Sequence, residues 1–212
     1  MTIAQQVANY LLRIHAFKFN PTSPYTWTSG WHSPVYCDNR QTLGYPEIRS
    51  AICEGLVNLA KTHFSGLGAV AGVATAGIAQ GALVADRLAL PYAYVRSSPK
   101  AHGLGNQIEG FLPPGAPVLV VEDLVSTGKS SLNAIEALRT AGHTVAGLVC
   151  IFSYGFPAAA GLFAQHAVEW YSLTNLEALI EAGIQQGQLP GAMVETIRNW
   201  QQAPELWQAA TS

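Results

Sequence analysis

Residues 118–131 read VLVVEDLVSTGKSS, and the way this stretch must be built points to the fold. Val118, Leu119, Val120 and Val121 have no polar face, as expected of a strand covered on both sides in a parallel sheet. The strand then delivers two carboxylates, Glu122 and Asp123, to its end, facing solvent. A turn with Ser126, Thr127 and Gly128 follows and leads into helical periodicity. In open α/β sheets, ligands gather at the carboxyl ends of strands, where helix N-termini present free N–H groups. Ser126, Thr127, Gly128, Lys129 and Ser130 offer hydroxyls and successive N–H groups to a phosphate dianion, and Gly128 permits close backbone approach. Carboxylates repel phosphate but accept hydrogen bonds from a vicinal diol, so Glu122 and Asp123 point to a ribose beside that phosphate. A nucleotide P-loop is suggested by Gly128, Lys129 and Ser130, but its first glycine would have to stand at Asp123.

Outward from this segment the same architecture repeats. AVAGVA (69–74), PYAYVR (91–96) and TVAGLVCIF (144–152) are short apolar runs suited to buried strands. GIAQGALVADRLA (77–89) and SSLNAIEALRTAG (130–142) alternate with them at helical spacing, and Gly142 is placed to end its helix. Strands alternating with helices predict an α/β core with a mostly parallel sheet. An opening helix is expected from Ile3 to about Ile14, and another from Pro46 to about Thr62, with Pro46 in its first turn. Between them, YTWTSGWHSPVYCDNR (25–40) alternates aromatic and polar residues and reads as a hairpin or short strands. NLEALIEAG (175–183) and AMVETIRNWQQ (192–202) read as terminal helices. The expected organisation is one domain over 1–212: a hood at about 16–45, a core at about 46–170, and C-terminal helices at 171–212.

Composition narrows the function. The 212 residues are 49% apolar and only 11% charged, and the mean hydropathy of +0.19 suggests a buried subunit interface. A net charge of −2 gives no electrostatic case for nucleic acid. No apolar run reaches the roughly 18 residues of a membrane span, and MTIAQQVANYLLRIHAF lacks the features of a signal peptide. A cytoplasmic protein is expected, with no membrane partner. Cys37, Cys53 and Cys150 show no paired metal spacing and read as inert thiols.

Segment 118–131 resembles the phosphoribosyl pyrophosphate (PRPP) signature of type I phosphoribosyltransferases. The resemblance implies that Glu122 and Asp123 bind the ribose diol, with Asp123 in the catalytic set, and that Leu124 through Ser130, Val125 included, wrap the 5-phosphate. GVATAGIAQGALVADRL (72–88) matches the pyrophosphate-side loop of that family, with Thr75, Ala76 and Gly77 presenting N–H groups; Ala76 falls where some members use lysine. YVRSSPKAHGLGNQIEG (94–110) is similar to the mobile catalytic loop of orotate phosphoribosyltransferases, through its R-x-x-x-K-x-H-G arrangement. That likeness implies a homodimer with a shared active site, in which Lys100 and His102 act catalytically from one subunit in the other while Arg96 contacts pyrophosphate. Ser97 and Ser98 stand where members often carry lysine.

The hood sequence is also similar to that family, whose hood covers the orotate ring. Thr28, Ser29, Tyr36, Cys37, Arg40, Ser126 and Tyr154 are the implied orotate-binding set, with Gly30, Ser33 and Pro34 as further wall residues. Thr28 takes the place of a substrate-contacting lysine, and CIFSYGFPAAAG (150–161) lacks the arginine many members direct at the orotate carboxylate. Arg40 is the expected substitute, because its planar fork suits carboxylates. The implied reaction is transfer of 5-phosphoribose from PRPP to orotate, giving orotidine 5′-monophosphate and pyrophosphate in de novo pyrimidine (UMP) biosynthesis. Mg²⁺ would arrive with PRPP, and no metal ligand from the protein is expected. Transfer to a purine or to uracil, and a non-catalytic PRPP-sensing regulator, stay open as alternatives at this point.

Overall fold

The computed structural model describes residues 1–20, 23–27, 30–98 and 107–207. Helix α1 (Ile3–Arg13) begins with a capping box formed by Thr2 and Gln5. Short strands β1 (Phe17–Phe19), β2 (Tyr25–Thr26), β3 (His32–Ser33) and β4 (Val35–Cys37) follow, with β1 antiparallel to β4 and β2 to β3. These two ribbons are the hood. A 3-10 segment, Asn39–Gly44, leads into α2 (Pro46–His63), which starts at the proline as expected. The chain then alternates through β5 (Ala69–Val73), α3 (Gly77–Leu88), β6 (Tyr92–Val95), β7 (Ile108–Gly110), β8 (Val118–Val125), α4 (Lys129–Thr140), β9 (Val145–Ser153), α5 (Pro157–Gln165) and β10 (Trp170–Asn175). It ends in α6 (Leu176–Gln185) and α7 (Val194–Gln202).

The central sheet has the order β10-β9-β8-β5-β6-β7 among the described residues, parallel throughout except for antiparallel β7. Alternation along the strands splits the core in two. Val70, Leu119, Val121, Val149 and Ile151 pack with buried residues of α1, α2, α3 and α6, whereas Ala71, Val118, Val120, Leu148 and Cys150 pack with α4 and α5. Each fully buried Val or Leu contributes about 1.5–3 kcal/mol, so apolar runs with no polar face are what this double covering demands. From β5 the chain crosses through α3 to β6 on one side, and from β8 it crosses through α4 to β9 on the other. The direction of winding therefore switches between β5 and β8, which opens a crevice at their carboxyl ends.

Three features differ from the sequence reading. Strand β8 does not stop before the acids: it pairs with β9 through Glu122, Leu124 and Val125, because long β9 supplies ladder partners that far. Glu122 is thus buried at 4% exposure rather than facing solvent. The sheet also continues past residue 170, where only helices were expected, with β10 parallel to β9. Its sequence WYSLTN carries polar residues because an edge strand is only partly covered. Finally, α5 over Pro157–Gln165 and the three-residue β7 had no periodic signal strong enough to read. No helix among the described residues is long and apolar enough to cross a membrane.

Candidate active site

The crevice is floored by the turn from β8 into α4. Gly128 adopts φ +80°, and a Cβ there would lie 3.0 Å from the Phe163 ring, so this tight turn requires glycine twice over. No side chain caps α4, leaving the first-turn N–H groups of Lys129, Ser130 and Ser131 for a ligand. Among the described residues the hydroxyls of Ser126, Thr127 and Ser130 have no protein partner. Leu124 is half-buried beside them. Val125 instead turns its side chain into the core, and its carbonyl accepts the Tyr154 N–H at 3.1 Å; any ligand contact from it would be through its backbone.

The two carboxyls occupy different environments. Glu122 accepts the Asp123 N–H on Oε1 at 3.1 Å and the Ser131 hydroxyl on Oε2 at 3.2 Å. Burial first, and the adjacent Asp123 second, push its pKa well above the usual carboxylate range. Asp123 is half-buried, and burial raises it too. Its main chain is anchored from the hood: Asn39 Nδ2 donates to the Asp123 carbonyl at 2.8 Å, while Asn39 Oδ1 accepts the Cys37 thiol at 3.3 Å. Asn39 is buried. Sequence reading missed both Asn39 and Ser131: Asn39 acts on a residue 84 positions away, and Ser131, though inside segment 118–131, turns its hydroxyl back onto Glu122 from within α4.

On the other side of the crevice, Thr75 is exposed and Ala76 is half-buried at the start of α3, which also has no side-chain cap. A Cβ on buried Gly77 would meet the Val121 carbonyl at 2.6 Å and Glu122 Oε1 at 3.4 Å. Only glycine lets α3 begin so close to β8. Arg96 follows β6; its N–H donates to the Gln107 carbonyl at 2.9 Å and its own carbonyl accepts Gln107 Nε2 at 2.7 Å. Its guanidinium lies 3.5 Å from Glu109, and Asn133 of α4 donates to the Ser97 carbonyl at 3.0 Å. Lys100 and His102 lie outside the described residues.

Between hood and core lies a cavity of about 670 Å³. The hood supplies Thr26, Trp27, Trp31, Tyr36 and Cys37 to its wall, and the core supplies Leu124, Ser126, Thr127, Lys129 and Tyr154. Trp27 sits 5.0 Å from the Tyr154 ring and 5.7 Å, edge-on, from Trp200 of α7. Trp200 Nε1 donates to the His32 carbonyl at 3.0 Å, and Gln201 Nε2 donates to the Tyr154 carbonyl at 2.6 Å. The last helix, expected from sequence only as a terminal helix, thus buttresses this cavity. Burial raises the Cys37 thiol and the Tyr154 phenol well above their ordinary values, so both stay protonated.

Two further expected wall residues, Arg40 and Ser33, fall elsewhere. Arg40 Nε pairs with Asp38 at 2.6 Å, with much of its side chain exposed, and is not on the wall. Ser33 is buried with its hydroxyl donating to the Val35 carbonyl at 2.6 Å. Thr28 and Ser29 lie outside the described residues. Among those described, no three His, Cys, Asp or Glu side chains converge as a metal-ligand set.

Residues 56–166 match the family model described as "Phosphoribosyl transferase domain". The chain is 48% identical to the orotate phosphoribosyltransferase of Porphyromonas gingivalis over 206 residues, 97% of this chain and 98% of that protein. The crystal structure of orotate phosphoribosyltransferase from Aeropyrum pernix superposes with a TM-score of 0.76 at 33% identity, covering 87% of this chain and 99% of that one. A Mycobacterium tuberculosis orotate phosphoribosyltransferase solved in complex with PRPP shares the fold, with a TM-score of 0.65 at 21% identity over 84% of this chain and 98% of that one.

Proposed function

The chain belongs to the phosphoribosyl transferase family, and within it to the orotate phosphoribosyltransferases; from that membership and the geometry of the crevice, we propose that it transfers 5-phosphoribose from PRPP to orotate. The products are orotidine 5′-monophosphate and pyrophosphate, a step of de novo pyrimidine biosynthesis. One observation carries the reading. The 124–129 turn is at once the phosphate-binding entrance to α4 and a wall of the aromatic cavity, so a planar base in the cavity and a ribose phosphate on the turn lie side by side.

In this reading Asp123 and Glu122 accept hydrogen bonds from the ribose hydroxyls. Ser126, Thr127, Gly128, Lys129 and Ser130 hold the 5-phosphate by N–H groups and hydroxyls. Thr75, Ala76, Gly77 and Arg96 receive pyrophosphate, and Lys100 and His102 stabilise its charge as the bond to the anomeric carbon breaks. The base nitrogen takes that bond's place, losing its proton to the departing pyrophosphate or to water, and the electron pair of the broken bond leaves on pyrophosphate. Tyr36, Cys37, Ser126 and Tyr154, with Thr28 and Ser29, surround the orotate ring and hold it in line.

Mg²⁺ bound to PRPP would neutralise its pyrophosphate oxygens. The enzyme acts as a homodimer with a shared active site, in the cytoplasm.

The test is to mix the protein, Mg²⁺ and PRPP with orotate, uracil, hypoxanthine or adenine and to follow pyrophosphate release. Release with orotate alone is expected. In the same assay, Lys100→Ala should depress turnover much more than PRPP affinity, while a change at exposed Lys61 leaves both alone; release with a purine, or with no base, overturns the reading.

A further inference from the structure

Resting on the orotate reading, we propose that the Lys129 side chain pairs with the substrate's carboxylate and is the specificity-determining cation of the base cavity. Orotate differs from uracil by that one anionic group, so a site that prefers orotate needs a cation within reach of the ring. The positions where the resemblance implies a cation hold Thr28 and, after β9, Ser153 and Tyr154. Among the described residues, Lys129 is the one Lys or Arg on the cavity wall, and no ion pair engages it.

The other cations near the hood are worse placed. Arg40 is committed to Asp38 at 2.6 Å and stands off the wall. Lys18 is opposite Tyr36 in the β1–β4 ladder but is off the wall; both it and Lys129 are exposed, and the place of Lys129 on the wall is what separates them. Lys129 opens α4 and lines the cavity, so its backbone N–H can serve the phosphate while its four-carbon stem leaves the ammonium free to reach a group bound there. The rest of that wall is aromatic, hydroxyl or apolar, and Cys37 and Tyr154 stay neutral. A carboxylate entering this cavity has no other described positive charge to meet, and partial enclosure strengthens the attraction over its value in water.

The experiment compares wild type, Lys129→Gln and Lys129→Arg, measuring KM separately for orotate and PRPP and inhibition by uracil. Wild-type turnover of orotate checks the underlying reading first: its absence sinks that reading without bearing on the variants. Given turnover, Lys129→Gln should raise the orotate KM about tenfold and leave the PRPP KM and uracil inhibition within about twofold, with Lys129→Arg restoring most of the loss. A rise in the PRPP KM of similar size, or no rise for orotate, overturns the proposal and leaves Lys129 as a phosphate ligand.

Discussion

The two halves of the proposed active site are built in opposite ways. The ribose-phosphate half comes from one continuous strand, turn and helix over 118–131, with its acids and N–H groups set by backbone geometry. The base half is assembled from the hood ribbons, the β8–α4 turn, Tyr154 after β9 and Trp200 on α7. Ribose and phosphate contacts of the proposed kind can be written into one short segment, because a strand end and a helix start supply them together. Recognition of one base is spread over segments far apart in sequence, where each can change while the phosphate site stays intact. Asn39 is a further link between the halves beside the shared β8–α4 turn, since it reaches from the hood to the main chain of Asp123.

The largest expected effect breaks the base half alone. Trp200 is fully buried against Trp27, Tyr154 and Phe156, so Trp200→Ala should cost about 3–5 kcal/mol in urea unfolding. The surviving folded enzyme should show a raised orotate KM with PRPP affinity little changed; a loss confined to PRPP would erase the division between the halves.

Asn39→Ala is expected to be smaller, about 1–3 kcal/mol, since it leaves a buried carbonyl and a thiol without their partner. Because the link touches both halves, both KM values should rise together. A change in one alone would show that Asn39 does not couple them.

Ser131→Ala should have the smallest effect, about 1 kcal/mol, and a distinctive pH dependence. Burial raises the Glu122 pKa, so the folded protein holds a proton there that the unfolded chain has lost, and stability falls as pH rises through that window. The Ser131 hydroxyl opposes the shift by favouring the charged form. Removing it should therefore cost more above the pH at which folded Glu122 ionises than below it in urea titrations, and an equal cost on both sides would remove Glu122 from the account.

Sequence alone determined the α/β core, most of its strands and the phosphate turn. Those features depend on neighbouring residues: apolar runs without a polar face, glycine where φ is positive, and hydroxyls at a helix start. It also brought out the aromatic hood, through its resemblance to a family. Tertiary structure decided what depends on distant partners. Glu122 is buried because β9 extends far enough to pair with it, Trp200 backs the base cavity because α7 folds over the hood, and Arg40 is spent on Asp38 while Lys129 lines the wall. Side chains brought together from across the chain leave no periodic trace, so burial, partner and direction at these positions came only with the fold.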